Sequence, residues 1–207
     1  MTVSESLREY IESEILPRYD KHDAAHRRDH ADSVIARSME LAGKYGADAD
    51  MAYTVAAFHD TGLCEGRETH HLVSGRIIRE DSRLGEWFDS EQIETIAQAA
   101  EDHRASGKNP PRSLYGMIVA EADRLIEPRT VIRRTIQYGI SHYPELDKES
   151  QFLRTIDHLN EKYAEGGYLK LWLADSPNAA PLAELRAIIR DKALLRVIFE
   201  EELGAIL

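Results

Sequence analysis

The sequence has only one cysteine, Cys64, so no disulfide can form within the chain. It also has no excess of basic residues, because 26 lysines and arginines face 37 aspartates and glutamates, for a net charge of -11. Non-specific binding to a nucleic-acid polymer or to an anionic membrane surface requires a basic face, and this charge balance argues against both partners.

Long apolar runs are also missing, since no stretch approaches the roughly 20 apolar residues that cross a bilayer. The first residues, MTVSESLREYIESEIL, carry acidic charges and lack the basic segment and apolar run of a signal peptide. Together with the low cysteine content, these absences lead us to expect a cytoplasmic protein.

The alternation of apolar and polar residues that is typical of β-strands is absent too. Apolar residues instead recur three and four positions apart along almost the whole chain, which predicts an all-α fold. Capping residues, glycines and prolines divide the pattern into predicted helices, which cover residues 3–16, about 24–45, about 50–60, about 70–80, 90–104, 113–126, about 129–142, 147–163 and 181–203. A length of 207 residues favours one domain, 1–207.

Histidines and aspartates that could carry chemistry lie within or at the ends of these helices. His22, His26 and His30 are spaced by four residues and share one stripe of a helix, whereas His59 and Asp60 end the apolar stretch AAFHDTG. Further candidates are the pair His70 and His71, then His103 in AEDHR, and Asp123 in the apolar stretch MIVAEADRLI. Each residue alone has an ordinary structural explanation, such as a satisfied helix end or a cap.

Asp123 lies at the edge of a stripe that faces the core, and a buried carboxylate needs a partner. One of the many arginines could supply a salt bridge, or a metal cation could bind Asp123 together with histidines from other helices. Imidazole and carboxylate ligands without paired cysteines suit Fe, Mn, Zn, Co or Ni.

Four motifs in order make the sequence resemble the HD superfamily, which is named for its histidine–aspartate doublet. They are HADSV with His30, AAFHDTG with His59 and Asp60, AEDHR with His103, and AEADRL with Asp123. The resemblance covers about residues 24–126 and implies a helical bundle of the HD type, with an accessory helical region at about 143–207.

The resemblance also implies a ligand set. His30, His59, Asp60 and Asp123 would bind one metal ion, and members with extra histidines bind a second ion that the aspartate of the doublet bridges. His71 and His103 fit as the added ligands, with His71 preferred to His70 because a small residue follows it four positions later. Without either His70 or His71, the site would hold one ion.

The implied activity is that of a metal-dependent phosphohydrolase, which uses one or two divalent ions such as Fe, Mn, Co, Ni or Zn, or Mg, to cleave a small phosphorylated substrate. A nucleotide is the favoured substrate. Mixed-valent di-iron oxygenases of the HD type use the same ligands and form the first alternative. A nucleotide sensor without catalytic activity is the second. The sequence does not indicate an oligomeric state.

Several other residues are candidates for contact with the substrate or for catalysis. Glu68 could act as a general acid or orient a ligand, beside Asp60 as the catalytic aspartate. The candidate substrate-binding residues are His26, Arg67, His70, Arg104, Lys108 and Arg112. Each of the four cations among them could instead be an ordinary solvated surface charge.

Overall fold

The computed structural model describes residues 2–21, 28–107 and 109–207. Every regular element in these ranges is helical, so the predicted all-α fold is confirmed. The chain divides into two compact units, Met1–Arg124 and Leu125–Leu207. That residues 1–207 form one domain remains a prediction.

The first unit contains six α-helices, and its candidate ligands lie on or beside five of them. They are α1 (Glu5–Tyr10), α2 (Arg28–Tyr45), α3 (Ala49–Phe58), α4 (His70–Glu80), α5 (Ser90–Asp102) and α6 (Leu114–Asp123). Shorter helical segments are the π-helical turn Ile11–Ile15 and the 3-10 segments Leu16–Lys21, Thr61–Glu65 and Ser82–Glu86.

Helix α3 is the central element of this unit and packs against α2, α5 and α6. Asp48 caps its start by accepting a hydrogen bond from the backbone nitrogen of Met51 at 2.9 Å. All eight residues from Met51 to Phe58 are buried, as is typical of a helix that is apolar around its whole circumference. The end of α3 therefore lies inside the unit, beside the helices that carry the other candidate ligands.

The second unit consists of α7 (Pro128–His142), α8 (Lys148–Tyr163), α9 (Ala179–Arg190) and α10 (Lys192–Ile206). Its core includes the fully buried side chains of Ile132, Leu159, Leu185 and Phe199. All of the candidate ligands lie at or before Asp123 and therefore belong to the first unit.

Two predicted helices differ from the structure. The helix predicted over 3–16 is α-helical only to Tyr10 and continues as the π-helical and 3-10 segments. The helix predicted over 181–203 is two helices, because Asp191 leaves helical geometry and its carboxylate accepts hydrogen bonds from the backbone of Ala193 and Leu194. Periodicity persists through this break, so the pattern alone does not reveal it.

No helix within the described ranges combines the length and the apolar character that crossing a membrane requires.

Candidate metal centre

The end of α3 is fixed by side chains that bind its last carbonyl groups. Four consecutive carbonyls, those of residues 56–59, would lack partners at a free helix end. In the structure they accept hydrogen bonds from four different side chains, which are His59 Nδ1 (2.7 Å), Tyr19 Oη (2.9 Å), Thr61 Oγ1 (2.8 Å) and Ser74 Oγ (2.7 Å). The polar end of this apolar helix is thus fully bonded and holds His59 and Asp60 in place.

His59 and Asp60 form the first group of candidate ligands together with residues from two other helices. His59 Nε2 lies 3.3 Å from Asp60 Oδ2 and 3.3 Å from Nε2 of His30, which α2 contributes. Asp123, the last residue of α6, places its Oδ1 3.3 Å from His30 Nε2. The structure therefore brings together the four residues that the resemblance assigned to one ion. We name these residues the first group: His30, His59, Asp60 and Asp123.

The other oxygen of Asp60 belongs to a second group. Asp60 Oδ1 lies 3.3 Å from Nε2 of His70 at the start of α4, and 3.4 Å from Nε2 of His103, directly after α5. The two histidine nitrogens are 3.2 Å apart. We name Asp60, His70 and His103 the second group. Asp60 is a member of both groups, because its Oδ2 faces the first group and its Oδ1 faces the second.

Three of these histidines share one hydrogen-bond arrangement that fixes their tautomer. The Nδ1 atoms of His59, His70 and His103 lie 2.7, 2.7 and 2.6 Å from the backbone carbonyls three residues earlier. A carbonyl can only accept, so each Nδ1 carries a proton, and in the neutral form of each ring the lone pair of Nε2 is directed towards Asp60. A partner of this kind on the far nitrogen is usual for histidines that bind metals.

The tautomers make the site a strong candidate for a cation. The lone pairs of His70 and His103 face each other across 3.2 Å, and they repel unless a proton or a metal ion lies between them. Ligand atoms about 2.1 Å from a common ion are roughly 3.0 to 3.4 Å apart in octahedral or tetrahedral coordination. Six of the separations between ligand atoms are 3.2 to 3.4 Å and lie within that range. Those between His30 and Asp60, at 3.6 Å, and between His59 and Asp123, at 4.0 Å, are longer.

The pKa values show the same need for positive charge. Burial disfavours the imidazolium of His30, but Asp123 and Asp60 outweigh it and raise its pKa to about 9. Burial also works against the charge on Asp60, yet the nearby histidines hold the pKa of its carboxyl well below the usual range. Asp60 likewise raises the pKa of His103 against the effect of burial, so without a metal ion, protons on His30 and His103 would balance the carboxylates.

The sequence analysis preferred His71 as the second-group ligand, but in the structure the histidine that lies beside Asp60 and His103 is His70. Helix α4 begins at the histidine pair, and successive helical side chains point about 100° apart, so only one ring can face Asp60. That ring belongs to His70, which was predicted to bind substrate. The Nδ1 atom of His71 is buried and has no hydrogen-bond partner among the described residues.

Arg104, one of the predicted substrate contacts, lies beside the second group. Its positive charge contributes to the lowered pKa of both His70 and His71, after burial and neighbouring histidines. Its Nη1 donates a hydrogen bond of 2.5 Å to the carbonyl of Glu68. The side chains of Glu68 and Arg67 are exposed on the loop before α4, and the carbonyl of Arg67 anchors His70.

Arg112 occupies a different environment. Its guanidinium pairs with Asp102 at 2.9 Å and with Glu101 at 2.7 Å, and it donates to the carbonyl of Gln98. These contacts tie the loop to the end of α5, which indicates a structural role for Arg112. His26 and Lys108 lie outside the described residues.

Tyr19 and Ser74 contact the doublet and were missed by the sequence analysis. Tyr19 is fully buried, and its hydroxyl accepts a hydrogen bond from the backbone nitrogen of Asp60 at 3.2 Å. Neither residue carries a spacing signal that links it to His59 and Asp60, because both act through the backbone from distant segments.

The comparisons with known proteins concern the part of the chain that contains this site. The HD domain family matches residues 27–127, a range that includes every member of the first and second groups. The chain belongs to the HD superfamily. The histidine–aspartate cluster is compatible with binding of divalent metal ions.

A solved structure has a similar fold. It is the crystal structure of a predicted HD superfamily hydrolase from an uncultured Thermotogales bacterium, at 23% sequence identity and a TM-score of 0.50. The similarity covers 73% of this chain and 83% of that one. No curated protein matches the sequence.

Proposed function

We propose that this HD protein is a phosphohydrolase that cleaves a phosphate ester or anhydride of a small substrate, with a nucleotide as the favoured class. The observation that carries the proposal is the position of Asp60, whose Oδ2 faces His30 and His59 while its Oδ1 faces His70 and His103. A single carboxylate between two histidine pairs suits a pair of neighbouring ions.

The first group would hold one divalent ion and the second group another. The donor set of imidazole and carboxylate suits Fe, Mn, Co, Ni or Zn, with Mg as a further candidate. When bound, such ions polarise phosphoryl oxygens and supply hydroxide near neutral pH by lowering the pKa of bound water.

The residues of the chain hold the ligand side chains rigidly and leave one side of the site open to a substrate. The backbone carbonyls that anchor His59, His70 and His103 hold the rings before any ligand arrives, which lowers the cost of assembling the site. His59 is fully buried and the His103 side chain is 3% exposed, whereas the side chains of His30, Asp123 and His70 are 23, 26 and 14% exposed. A substrate would therefore approach from the side of His30, Asp123 and His70.

Arg104 is the cation that we assign to contact with a phosphate there, because its charge acts on His70. Asp60 serves as the catalytic aspartate in this proposal by keeping the two groups together. Glu68 stays a candidate proton donor on the exposed loop. The net charge of -11 supports a small phosphorylated partner rather than a nucleic-acid polymer or a membrane.

The test begins with metal analysis of protein purified without added metal. Phosphate release is then measured for mono-, di- and triphosphate nucleotides and dinucleoside polyphosphates, with Mn, Co, Ni, Mg and Fe supplied in turn. We expect metal-dependent release of phosphate from at least one of these substrates. A metal-loaded protein that consumes oxygen and releases no phosphate would support the oxygenase instead, and one that binds nucleotides without turnover would support the sensor.

A further inference from the structure

Ser74 connects the histidine–aspartate doublet to helix α4. It is fully buried, and its hydroxyl both donates and accepts a hydrogen bond. Oγ donates to the carbonyl of His59 at 2.7 Å and accepts from the backbone nitrogen of Gly62 at 2.9 Å. These two contacts lie on either side of Asp60, so one side chain holds the backbone before and after the bridging carboxylate.

Gly62 shows how closely the two segments approach each other. A Cβ atom at this position would lie 2.1 Å from the backbone oxygen of His70 and 2.6 Å from the backbone nitrogen of Ser74. Both are backbone atoms that cannot move aside without displacing α4. The turn after Asp60 therefore lies directly on the first turn of α4, which begins with His70.

The two metal groups depend on this contact to different degrees. In the first group, His30 and Asp123 come from α2 and α6, and His59 is held by the carbonyl of Ala56. In the second group, His70 is the member that α4 contributes, and its distance from Asp60 depends on how α4 is attached to the doublet. Ser74 lies one helical turn after His70 and makes that attachment.

We propose that Ser74 is a positioning residue for the second group, which keeps His70 Nε2 beside Asp60 Oδ1 and His103 Nε2, the atoms that would hold a second metal ion. This inference rests on the proposed dinuclear site. Removing the hydroxyl leaves the carbonyl of His59 and the nitrogen of Gly62 without partners, so the turn and α4 are free to separate. Loss of such a supporting residue typically weakens metal binding by about 10- to 100-fold.

The test is manganese binding to the Ser74→Ala variant of the full chain, measured by calorimetry and by electron paramagnetic resonance. We expect the second Mn²⁺ to bind about tenfold or more weakly, the first to stay within about threefold of wild type, and the signal of two coupled Mn²⁺ ions to disappear. Ser38→Ala is the matched control, because Ser38 is also fully buried in a helix and its Oγ has no hydrogen-bond partner among the described residues. It should bind both ions as wild type does.

Equal weakening of both ions, or binding of both within twofold of wild type, would overturn the role of Ser74. If Ser74→Ala does not fold, Ser74→Cys keeps a small side chain with weaker hydrogen bonding and should show the same selective loss. Wild-type protein that binds no metal contradicts the proposed function itself. Wild-type protein that binds one ion contradicts the dinuclear site, so these failures are distinct from failure of Ser74 alone.

Discussion

The first and second groups share Asp60 but differ in charge. The first group combines two carboxylates, Asp60 and Asp123, with His30 and His59. The second group has one oxygen of Asp60, two histidines and the positive charge of Arg104 nearby. A cation is therefore attracted more strongly to the first group than to the second.

The pKa values follow this difference. Asp123 and Asp60 raise the pKa of His30 to about 9 against the effect of burial. In the second group, burial and the charge of His103 lower the pKa of His70, although Asp60 raises the pKa of His103. A site that attracts protons also attracts metal ions, so the first group should fill at lower metal concentration, and the second should depend more on exact placement of its ligands.

The largest expected effect is loss of both sites when Asp60 is changed. Asp60→Asn keeps the shape of the side chain but removes the charge that both groups share. We expect loss of both metal ions and a fall in turnover of roughly 10³-fold or more. Metal analysis and phosphate release measure both effects. Asp32→Asn changes an exposed aspartate of α2 that pairs with Arg28 and is the matched control; full turnover in Asp60→Asn would contradict the bridging role.

Variants of the adjacent residues His70 and His71 test which of them is a ligand of the second group. His70→Ala removes a ligand of the second group alone, so we expect one bound ion per chain and a loss of turnover of about 100-fold. His71→Ala should keep two ions, because the ring of His71 does not face Asp60. Metal counting on both variants decides the assignment, and loss of the second ion in His71→Ala with retention in His70→Ala would restore the sequence-based preference.

This pair also shows what a sequence can and cannot predict. The all-α fold follows from apolar periodicity, and the first group is what the four motifs that resemble the HD superfamily imply. The choice between His70 and His71 depends on the rotation of α4 about its axis, and a shift of one residue turns the side chain by about 100°. The 3-10 segment Thr61–Glu65, the contact at Gly62 and the bond to Ser74 fix that rotation.

Arg112 gives a second example. The stretch HRASGKNPPR predicts three cations close to His103, but it cannot tell which of them already has a carboxylate partner. Asp102 and Glu101 precede His103 directly and pair with Arg112 as the loop returns to α5. Ion pairs of this kind depend on the path of the loop, which local spacing does not determine.

Metal binding to the first group should depend on pH. His30 is protonated below its pKa of about 9, and an ion needs the neutral nitrogen, so binding releases a proton. The apparent affinity should therefore rise by up to tenfold per pH unit as pH increases towards about 9 and then level off. The slope for the first group alone is measured in the His70→Ala variant, where the protein competes for metal with a chelator of known protonation at pH 6.5 to 8.5. An affinity that does not change with pH would contradict the charge balance described for His30.

The smallest expected effect distinguishes Arg104 from Arg112. Arg104→Gln removes a charge beside His70 without removing a ligand, so we expect KM for an anionic substrate to rise by about tenfold with unchanged metal content. Arg112→Gln breaks the pairs with Glu101 and Asp102, and it should lower the thermal midpoint slightly while KM stays near the wild-type value. Steady-state kinetics, metal analysis and thermal unfolding of the two variants measure these effects. A higher KM in Arg112→Gln alone would mean that the loop, rather than the charge beside the second group, governs substrate binding.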